Sequence, residues 1–312
     1  MALLPNASPE VYLTDGGLET TLVFLHGYDL PCFAAFDLIK EEKGYQAIMD
    51  YYRRYLEIAR TFGLNFILES PTWRSNPDWM VKIGYPASAL SEVNIKSVQL
   101  LDELKREFEK HIPQIILSGC VGPRGDGYIP GSLMTAEEAE QYHMAQIRVF
   151  SRTTVDMVSG VTMNYAEEAI GISRAAAAVH LPVVISFTVE TDGRLPTGMS
   201  LQEAIEQVDK NVSNPPLYFM INCAHPTHFF HVLQEEKEKK WTKRLRGIRA
   251  NACCKSHSEL DEATELDRGN PQELGEDYKK LKTALTQLNV FGGCCGTDEE
   301  HILAIARQFK TH

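Results

Sequence analysis

Short apolar runs alternate with longer segments of helical spacing along the whole of this 312-residue chain. Strands that alternate with helices are typical of parallel βα units. Eight such units in a chain of this length predict the α/β class and a single closed (β/α)8 barrel, the TIM barrel. The predicted domain spans residues 1–312, and the predicted strands lie at residues 11–14, 65–68, 115–118, 155–160, 183–189, 217–222, 246–251 and 289–292.

The segments between these strands carry helix signals. An apolar stripe with three- and four-residue spacing predicts one buried helix face, formed by Ile95, Val98, Leu101, Leu104 and Phe108. Three pairs have the S/T-x-x-E spacing of a capping box and predict helix starts: Thr135 with Glu138, Ser200 with Glu203, and Thr297 with Glu300.

Charge and composition exclude several classes of protein. A formal net charge of −11 argues against a nucleic-acid surface, because phosphate neutralisation needs clustered Lys and Arg. No apolar run reaches the roughly 18 residues of a membrane span, and residues 1–10 lack the pattern of a signal peptide. Seven cysteines, four of them in two vicinal pairs, favour free thiols in a reducing compartment. We therefore expect a cytoplasmic protein without membrane or nucleic-acid partners.

Polar and thiol residues follow the strands at their carboxyl ends, where TIM barrels carry their chemistry. Asp15-Gly16-Gly17 comes after the first strand, and Glu69 to Thr72 comes after the second. Residues 119–123 follow the third strand, Thr162 follows the fourth, and Asn251 ends the seventh. The cysteines come after the sixth strand, at Cys223, and after the eighth, at Cys294-Cys295.

Cys223, Cys294 and Cys295 are candidate metal ligands. Their separation is too long for a zinc finger, and by spacing alone they could be small buried residues. However, strands six and eight flank strand seven in a closed barrel, so their ends lie roughly 10 Å apart and short loops can bring the thiols together. Three thiolates suit Zn²⁺ and leave one coordination position for a substrate.

The same segments resemble the homocysteine S-methyltransferases. The resemblance is carried by Asn-Cys at Cys223, by Gly-Gly-Cys-Cys-Gly-Thr at residues 292–297, by Asp15-Gly16-Gly17, by Glu-Ser-Pro-Thr at residues 69–72 and by Val-Gly-Pro at residues 121–123. It extends in order from about residue 11 to residue 309, and the single Cys with the Cys-Cys pair is its specific part.

The resemblance implies a zinc enzyme that moves a methyl group from a sulfonium or quaternary ammonium donor to homocysteine, giving methionine. It implies that Cys223, Cys294 and Cys295 hold the zinc and that Asp15, Gly16 and Gly17 line the homocysteine site. With the other strand-end residues, the predicted substrate-binding set is Asp15, Gly16, Gly17, Glu69, Thr72, Thr162 and Asn251, and Asp15 is also the predicted catalytic residue. The candidate donors are S-methylmethionine, S-adenosylmethionine and betaine, with S-methylmethionine favoured because no nucleotide-binding motif is present.

One position departs from the family pattern. Relatives carry a Glu after strand four that fits the amino group of the substrate, whereas this chain has Val161 or Thr162 there. Glu190 and Asp192, after strand five, are the predicted substitutes, and Glu167 and Glu168 fit better as first-turn helix carboxylates.

Further thiol, imidazole and aromatic side chains lie near the predicted rim. Cys253 and Cys254 are alternative ligands, and the histidines fit supporting roles behind a three-thiolate set. Aromatic candidates for a surface facing a cationic donor are Trp73, Tyr85, Tyr128 and Tyr165.

Three other functions remain open at this stage. The chain could methylate a different small thiol. It could be a non-catalytic barrel whose zinc site, closed by a fourth protein ligand, ties the loops together. It could also be a thiol-redox barrel that uses its vicinal cysteines without metal.

Overall fold

The computed structural model describes residues 3–309 and contains a closed barrel of eight parallel strands. Neighbouring strands pair in sequence order, and β8 pairs with β1 to close the barrel. The predicted (β/α)8 fold and all eight predicted strands are thereby confirmed. The strands are β1 (Tyr12–Leu13), β2 (Asn65–Glu69), β3 (Ile115–Val121), β4 (Met157–Met163), β5 (Val183–Phe187), β6 (Phe219–Asn222), β7 (Leu245–Ala250) and β8 (Val290–Gly293).

Helices lie between the strands and cover the outside of the barrel. The predicted stripe lies on α4, where Val98, Leu101, Leu104 and Phe108 are buried. The helices are α1 (Leu18–Thr20), α2 (Glu42–Phe62), α3 (Pro77–Lys82), α4 (Ala89–Phe108), α5 (Ala136–Phe150), α6 (Ala166–Ala178), α7 (Leu201–Asn211), α8 (Pro226–Glu235), α9 (His257–Asp261), α10 (Pro271–Ala284) and α11 (Glu299–Gln308).

The barrel interior consists of an apolar layer below a polar layer. Positions two apart on a strand share one face, so most of the strands contribute to both layers. The apolar layer, toward the amino ends of the strands, contains Tyr12, Ile67, Ile116, Met157, Val184, Tyr218, Met220 and Val290. Two residues later along the strands, the buried side chains are Thr14, Glu69, Ser118, Ser159, Ser186, Asn222 and Arg249. The carboxyl half of the interior is therefore polar, which is where a site can be built.

Hydrogen bonds between strands satisfy much of the polar layer. The hydroxyls of Ser118 and Ser159 lie 2.7 Å apart, and Ser186 donates to Asn222 Oδ1 at 2.6 Å. Below them, Gly247 leaves room for Met220, whose sulfur would lie 2.6 Å from any added Cβ. Because the buried hydroxyls and amides have partners, the polar layer is compatible with a stable interior.

Two of the three predicted capping boxes are confirmed, those of α5 and α7. The third is wrong, because Asp298 rather than Thr297 is the N-cap of α11. The Asp298 carboxylate accepts a hydrogen bond from Glu300 N at 3.1 Å, and its charge is favourable at a helix N-terminus. Thr297 Oγ1 donates to Cys294 O at 2.7 Å and closes the turn that carries the cysteine pair.

None of the helices in residues 3–309 combines the length and the apolar character needed to cross a membrane.

Candidate active site at the carboxyl end of the barrel

A cavity of about 330 Å³ opens at the carboxyl ends of the strands. Most of the residues predicted from the sequence as site residues border it. They are Asp15, Gly16, Gly17, Glu69, Thr162, Cys223, Cys294 and Cys295.

Thr72 and Asn251, the remaining predicted substrate-binding residues, are buried beside the cavity and are not among its lining residues. Thr72 Oγ1 donates to Cys120 O at 2.7 Å and so ties the loop after β2 to β3.

Three cysteines form a cluster in the cavity wall. The sulfur atoms of Cys223, Cys294 and Cys295, here called the cysteine cluster, all lie within 4.8 Å of one another. Cys223 follows β6 and is 5% exposed, whereas Cys294 and Cys295 follow β8 and are partly exposed. The convergence of the two loops that the sequence predicted therefore occurs.

Within the cysteine cluster, Cys223 and Cys294 are joined by a disulfide, which differs from the expectation of free thiols. The ends of β6 and β8 bring their Cα atoms to 5.4 Å, a separation that a disulfide spans. Cys295 remains a free thiol, and burial raises its pKa to about 11, although its hydrogen bond with Tyr128 opposes that shift. The cluster therefore contains one disulfide and one free thiol in this structure, and reduction of the disulfide would give three thiols.

Backbone hydrogen bonds hold the cysteine loops in place. Cys294 N donates to Ala250 O at 2.8 Å, and Gly293 N donates to Asp15 O at 2.9 Å, so the pair is attached to β7 and to the loop after β1. Cys223 has a φ of 54°, a left-handed conformation that is costly for a residue with a Cβ. Its N–H nevertheless bonds to Arg249 O at 3.1 Å. The surrounding strands thus impose the direction in which Cys223 points.

A buried ion network lies next to the cysteine cluster. Arg249 on β7 donates to Asp15 at 2.7 Å, to Glu69 in a short contact, and through Nε to Gly293 O at 3.1 Å. Tyr51 on α2 donates a further hydrogen bond to Asp15 at 3.0 Å. One guanidinium therefore connects the ends of β1, β2 and β8.

The network shifts the protonation of its members. Burial raises the pKa of Asp15 to about 6, the charge of Arg249 lowers it, and the charge of Glu69 raises it. Burial acts to lower the pKa of Arg249, but the two carboxylates outweigh burial and raise it. Arg249 therefore stays charged, whereas Asp15 gains a proton in mildly acidic solution.

Two further charged residues border the cavity. Glu19 lies on α1, two residues after the Asp-Gly-Gly segment, and burial raises its pKa to about 7. Arg74 lies on the loop after β2 and is 6% exposed. Sequence reasoning missed both residues and also Arg249. A charged residue inside a strand of otherwise buried character was the available signal for Arg249.

The carboxylates predicted to replace the family Glu are occupied elsewhere. Glu190 lies 2.9 Å from His257 Nδ1, and Asp192 accepts from the backbone N–H of Arg194. Neither borders the cavity. Glu168 is buried on α6 against His143 Nε2 at 2.8 Å.

Among the described residues, no histidine belongs to the cysteine cluster. The histidines near the rim form hydrogen bonds with the loops instead. His257 Nε2 donates to Cys223 O at 2.8 Å, and His228 Nε2 donates to Cys254 O at 3.0 Å. His225 is the N-cap of α8. Cys253 and Cys254 likewise lie outside the cluster, and Cys254 is exposed.

Two of the four predicted aromatic candidates border the cavity, Trp73 and Tyr128. The Tyr128 hydroxyl lies 3.3 Å from Cys295 Sγ, and its ring stacks on His257 with centroids 4.1 Å apart. Tyr85 bonds to Asp37, and Tyr165 bonds to Met134 N, so both are used in packing.

The sequence of this chain is similar to those of known methyltransferases. The family model described as homocysteine S-methyltransferase matches residues 12–309. Homocysteine S-methyltransferase 1 of Arabidopsis thaliana is 24% identical over 321 residues, covering 96% of this chain and 93% of its own length. The protein of the same name from Brassica oleracea var. italica is 23% identical with the same coverage.

Solved structures of the homocysteine methyltransferase MmuM from Escherichia coli have the same fold. The oxidized form superposes with a TM-score of 0.77 at 17% identity and covers 98% of both chains. The metallated form superposes with a TM-score of 0.73 at 18% identity and covers 96% of both chains.

Proposed function

This chain belongs to the homocysteine S-methyltransferase family and is a methyltransferase, and from that membership we propose that it transfers a methyl group from a cationic donor to the sulfur of homocysteine, giving methionine. The observation that carries the proposal is the cysteine cluster, whose three sulfurs lie within 4.8 Å of one another at the wall of a cavity. In this proposal residues 1–312 form one homocysteine-binding domain.

The cysteine cluster has the donor set that Zn²⁺ prefers. Three cysteine sulfurs account for three corners of a tetrahedron, and the cavity beside them leaves a fourth corner open to a substrate sulfur. In this proposal Cys223, Cys294 and Cys295 hold the ion after reduction of the Cys223–Cys294 bond. Zinc bound there would lower the pKa of a substrate thiol and so supply thiolate at neutral pH.

The transfer is a single displacement at carbon. The sulfur of homocysteine forms a bond to the methyl carbon, and the bond from that carbon to the donor's sulfur or nitrogen breaks. The electron pair of the broken bond stays with the donor, which becomes neutral at that atom, and the thiol proton passes to solvent. Because opposite charges disappear in this step, a cavity that excludes water favours it.

The cavity mouth suits a cationic donor. Its lining includes the exposed carboxylates of Asp261 and Glu265, whose charge attracts a cation. Trp73 and Tyr128 add aromatic surface near the cysteine cluster, and aromatic faces attract cations. S-methylmethionine, S-adenosylmethionine and betaine share this cationic methyl chemistry, and S-methylmethionine is the proposed donor.

The test of the function is methionine formation from homocysteine with each of the three donors. Protein is purified under reducing conditions, and its zinc content is measured without added metal. We expect bound zinc and the fastest turnover with S-methylmethionine. Absence of methionine formation with every donor, from reduced zinc-loaded protein, would remove the proposal.

A redox function is the second candidate, because Cys223 and Cys294 are joined in a disulfide. It predicts reversible thiol–disulfide exchange in metal-free protein and no need for zinc. A chelator separates the two functions. Methyl transfer lost on chelation and restored by zinc supports the methyltransferase, whereas exchange activity that persists after chelation supports the redox function.

A closed structural zinc site and a different thiol acceptor make their own predictions. X-ray absorption at the zinc edge should show an additional sulfur ligand when homocysteine is added, whereas a site closed by four protein ligands would show no change. Competition between homocysteine and other small thiols for turnover identifies the preferred acceptor.

We expect Gly17→Ala to damage the site without disturbing the barrel. A Cβ at residue 17 would lie 2.5 Å from Cys294 O and 2.5 Å from Thr20 Oγ1, so the cysteine loop must move. A displacement near 1 Å lowers turnover by on the order of 100-fold. Gly125→Ala, on the loop after β3 with nothing within 4 Å of its added Cβ, is the matched control. Equal turnover and zinc content in the two variants would contradict the prediction.

A further inference from the structure

Glu19 is a partly buried carboxylate of the cavity wall without an ion-pair partner among the described residues. Among residues 3–309, Glu19 forms no ion pair and accepts no side-chain hydrogen bond from another residue, although it borders the cavity. The neighbouring Asp15 and Glu69 share Arg249. The lining residues Asp261 and Glu265 are exposed, so water solvates their charges. Glu19 is partly buried, so water solvates its carboxylate less fully than theirs, and a cationic group of a ligand would stabilise its charged form.

Arg74 supplies the opposite charge in the same wall. Its guanidinium lies 3.9 Å and 3.8 Å from the ring centroids of Trp73 and Trp79, which fixes its plane. Nη1 donates to Gly125 O at 2.9 Å, and Nη2 lies 3.5 Å from a carboxylate oxygen of Asp126. Its Nε is buried and has no hydrogen-bond partner. Arg74, which is 6% exposed, therefore has one N–H donor, at Nε, that is not used within the described residues.

The two charges act on one another without forming an ion pair. Burial lowers the pKa of Arg74 to about 10, and the charges of Asp126 and Glu19 oppose that shift. Neither residue has the other as a salt-bridge partner within the part of the chain that the structure describes. Because both side chains line the same cavity, a ligand that carries an ammonium group and a carboxylate has a charge partner for each group.

The location of α1 places Glu19 beside the cysteine cluster. Thr20 Oγ1, one residue after Glu19, accepts a hydrogen bond from Gly296 N at 3.2 Å, and Gly17 packs directly on Cys294 O. A ligand held by Glu19 therefore has its remaining atoms within the same part of the cavity as the sulfurs.

We propose that Glu19 and Arg74 form a subsite for an α-amino acid, in which Glu19 binds the α-ammonium group and Arg74 binds the α-carboxylate. Carboxylates and ammonium groups make charge-assisted hydrogen bonds with these side chains, and Arg suits a carboxylate through its planar donors. Val161 and Thr162 bring no charge to the wall, so Glu19 provides the counter-charge instead. The identity of the amino acid rests on the proposed function, since both homocysteine and S-methylmethionine carry this group.

Substrate analogues separate the two halves of the subsite. The acceptors are homocysteine, 4-mercaptobutyrate, which lacks the ammonium group, and 3-aminopropane-1-thiol, which lacks the carboxylate. We expect Glu19→Gln to raise the KM for homocysteine by about 10- to 100-fold and to leave the KM for 4-mercaptobutyrate unchanged. We expect Arg74→Met to raise the KM for homocysteine similarly and to leave the KM for 3-aminopropane-1-thiol unchanged.

Measuring the KM for S-methylmethionine in the same variants shows which amino acid uses the subsite. A rise confined to homocysteine assigns the subsite to the acceptor, and a rise confined to S-methylmethionine assigns it to the donor. Glu262→Gln, an exposed carboxylate near the cavity that is not among its lining residues, is the matched control and should change neither KM. Equal losses for homocysteine and 4-mercaptobutyrate in Glu19→Gln would overturn the proposal.

Calorimetric binding of methionine tests the subsite without turnover. Wild-type protein should bind methionine, Glu19→Gln should bind it at least about tenfold more weakly, and Glu19→Asp, which keeps the charge, should recover part of the affinity. If methionine affinity falls in the order wild type, Glu19→Asp, Glu19→Gln but no methyl transfer occurs, the proposed function is wrong and the amino acid subsite is supported. Wild-type protein that does not bind methionine would remove the subsite. Unchanged thermal unfolding establishes that each variant is folded.

Discussion

Cys294→Ala is expected to abolish zinc retention and methyl transfer together. The substitution leaves two sulfurs of a set that lies within 4.8 Å, and two protein ligands do not hold zinc against dilution. Turnover should fall to background because the substrate thiol then loses the cation that would lower its pKa. Zinc content after gel filtration and methionine formation from homocysteine measure the two effects on one sample.

Cys254→Ala is the matched control for that prediction. Cys254 is exposed on the loop after β7 and lies outside the cysteine cluster, so its variant should keep both zinc and turnover. It also tests the alternative that the second vicinal pair supplies ligands. Full zinc content and full turnover in Cys294→Ala would show that the cysteine cluster is not the metal site.

The sequence predicts the barrel because periodicity and parallel connections leave few alternatives. The strand bounds differ from the prediction by one to three residues. Both β3 and β4 end three residues later than predicted, and β3 continues through Gly119 and Cys120 to Val121. Glycine at residue 119 suggested a loop, whereas it leaves space for Phe150, whose ring carbon would lie 2.8 Å from any added Cβ. Whether such a residue belongs to the strand depends on its packing against an outer helix. A local sequence pattern contains no information about that contact.

The cysteine cluster was predictable for a topological reason. Once strands six and eight are neighbours of strand seven, residues that follow them must meet at one rim. The charges around the cluster were not predictable in this way. The partners of Arg249, Asp15 and Glu69, lie 234 and 180 positions away in the sequence. The role of Glu19 follows only from the lack of an ion-pair partner among the described residues that surround it in the folded chain. Such roles depend on tertiary placement rather than on residue type.

Arg249→Leu is expected to cost about 3–5 kcal/mol of unfolding free energy, because it leaves Asp15 and Glu69 buried without their cation. Arg53→Leu is the matched control, since Arg53 also bridges two carboxylates, Asp50 and Glu107, but at the surface. Exposed pairs contribute about 0–1 kcal/mol. Urea unfolding of both variants measures the difference, and equal losses would contradict a stabilising role for the buried network.

The unfolding free energy lost in Arg249→Leu should depend on pH, and the titration of Asp15 determines whether this loss grows or shrinks as the pH rises. Burial already raises the pKa of Asp15 from 3.8 to about 6, and removal of the Arg249 charge, which lowers that pKa, raises it further. The folded variant then binds protons more tightly than the unfolded chain, so its stability is lost as pH rises through the folded-state pKa. We expect the deficit to be larger at pH 8 than at pH 5, and Glu69→Gln added to Arg249→Leu to reduce it by removing one uncompensated charge. A deficit that grows toward acidic pH would show that the carboxylates are not the source of the cost.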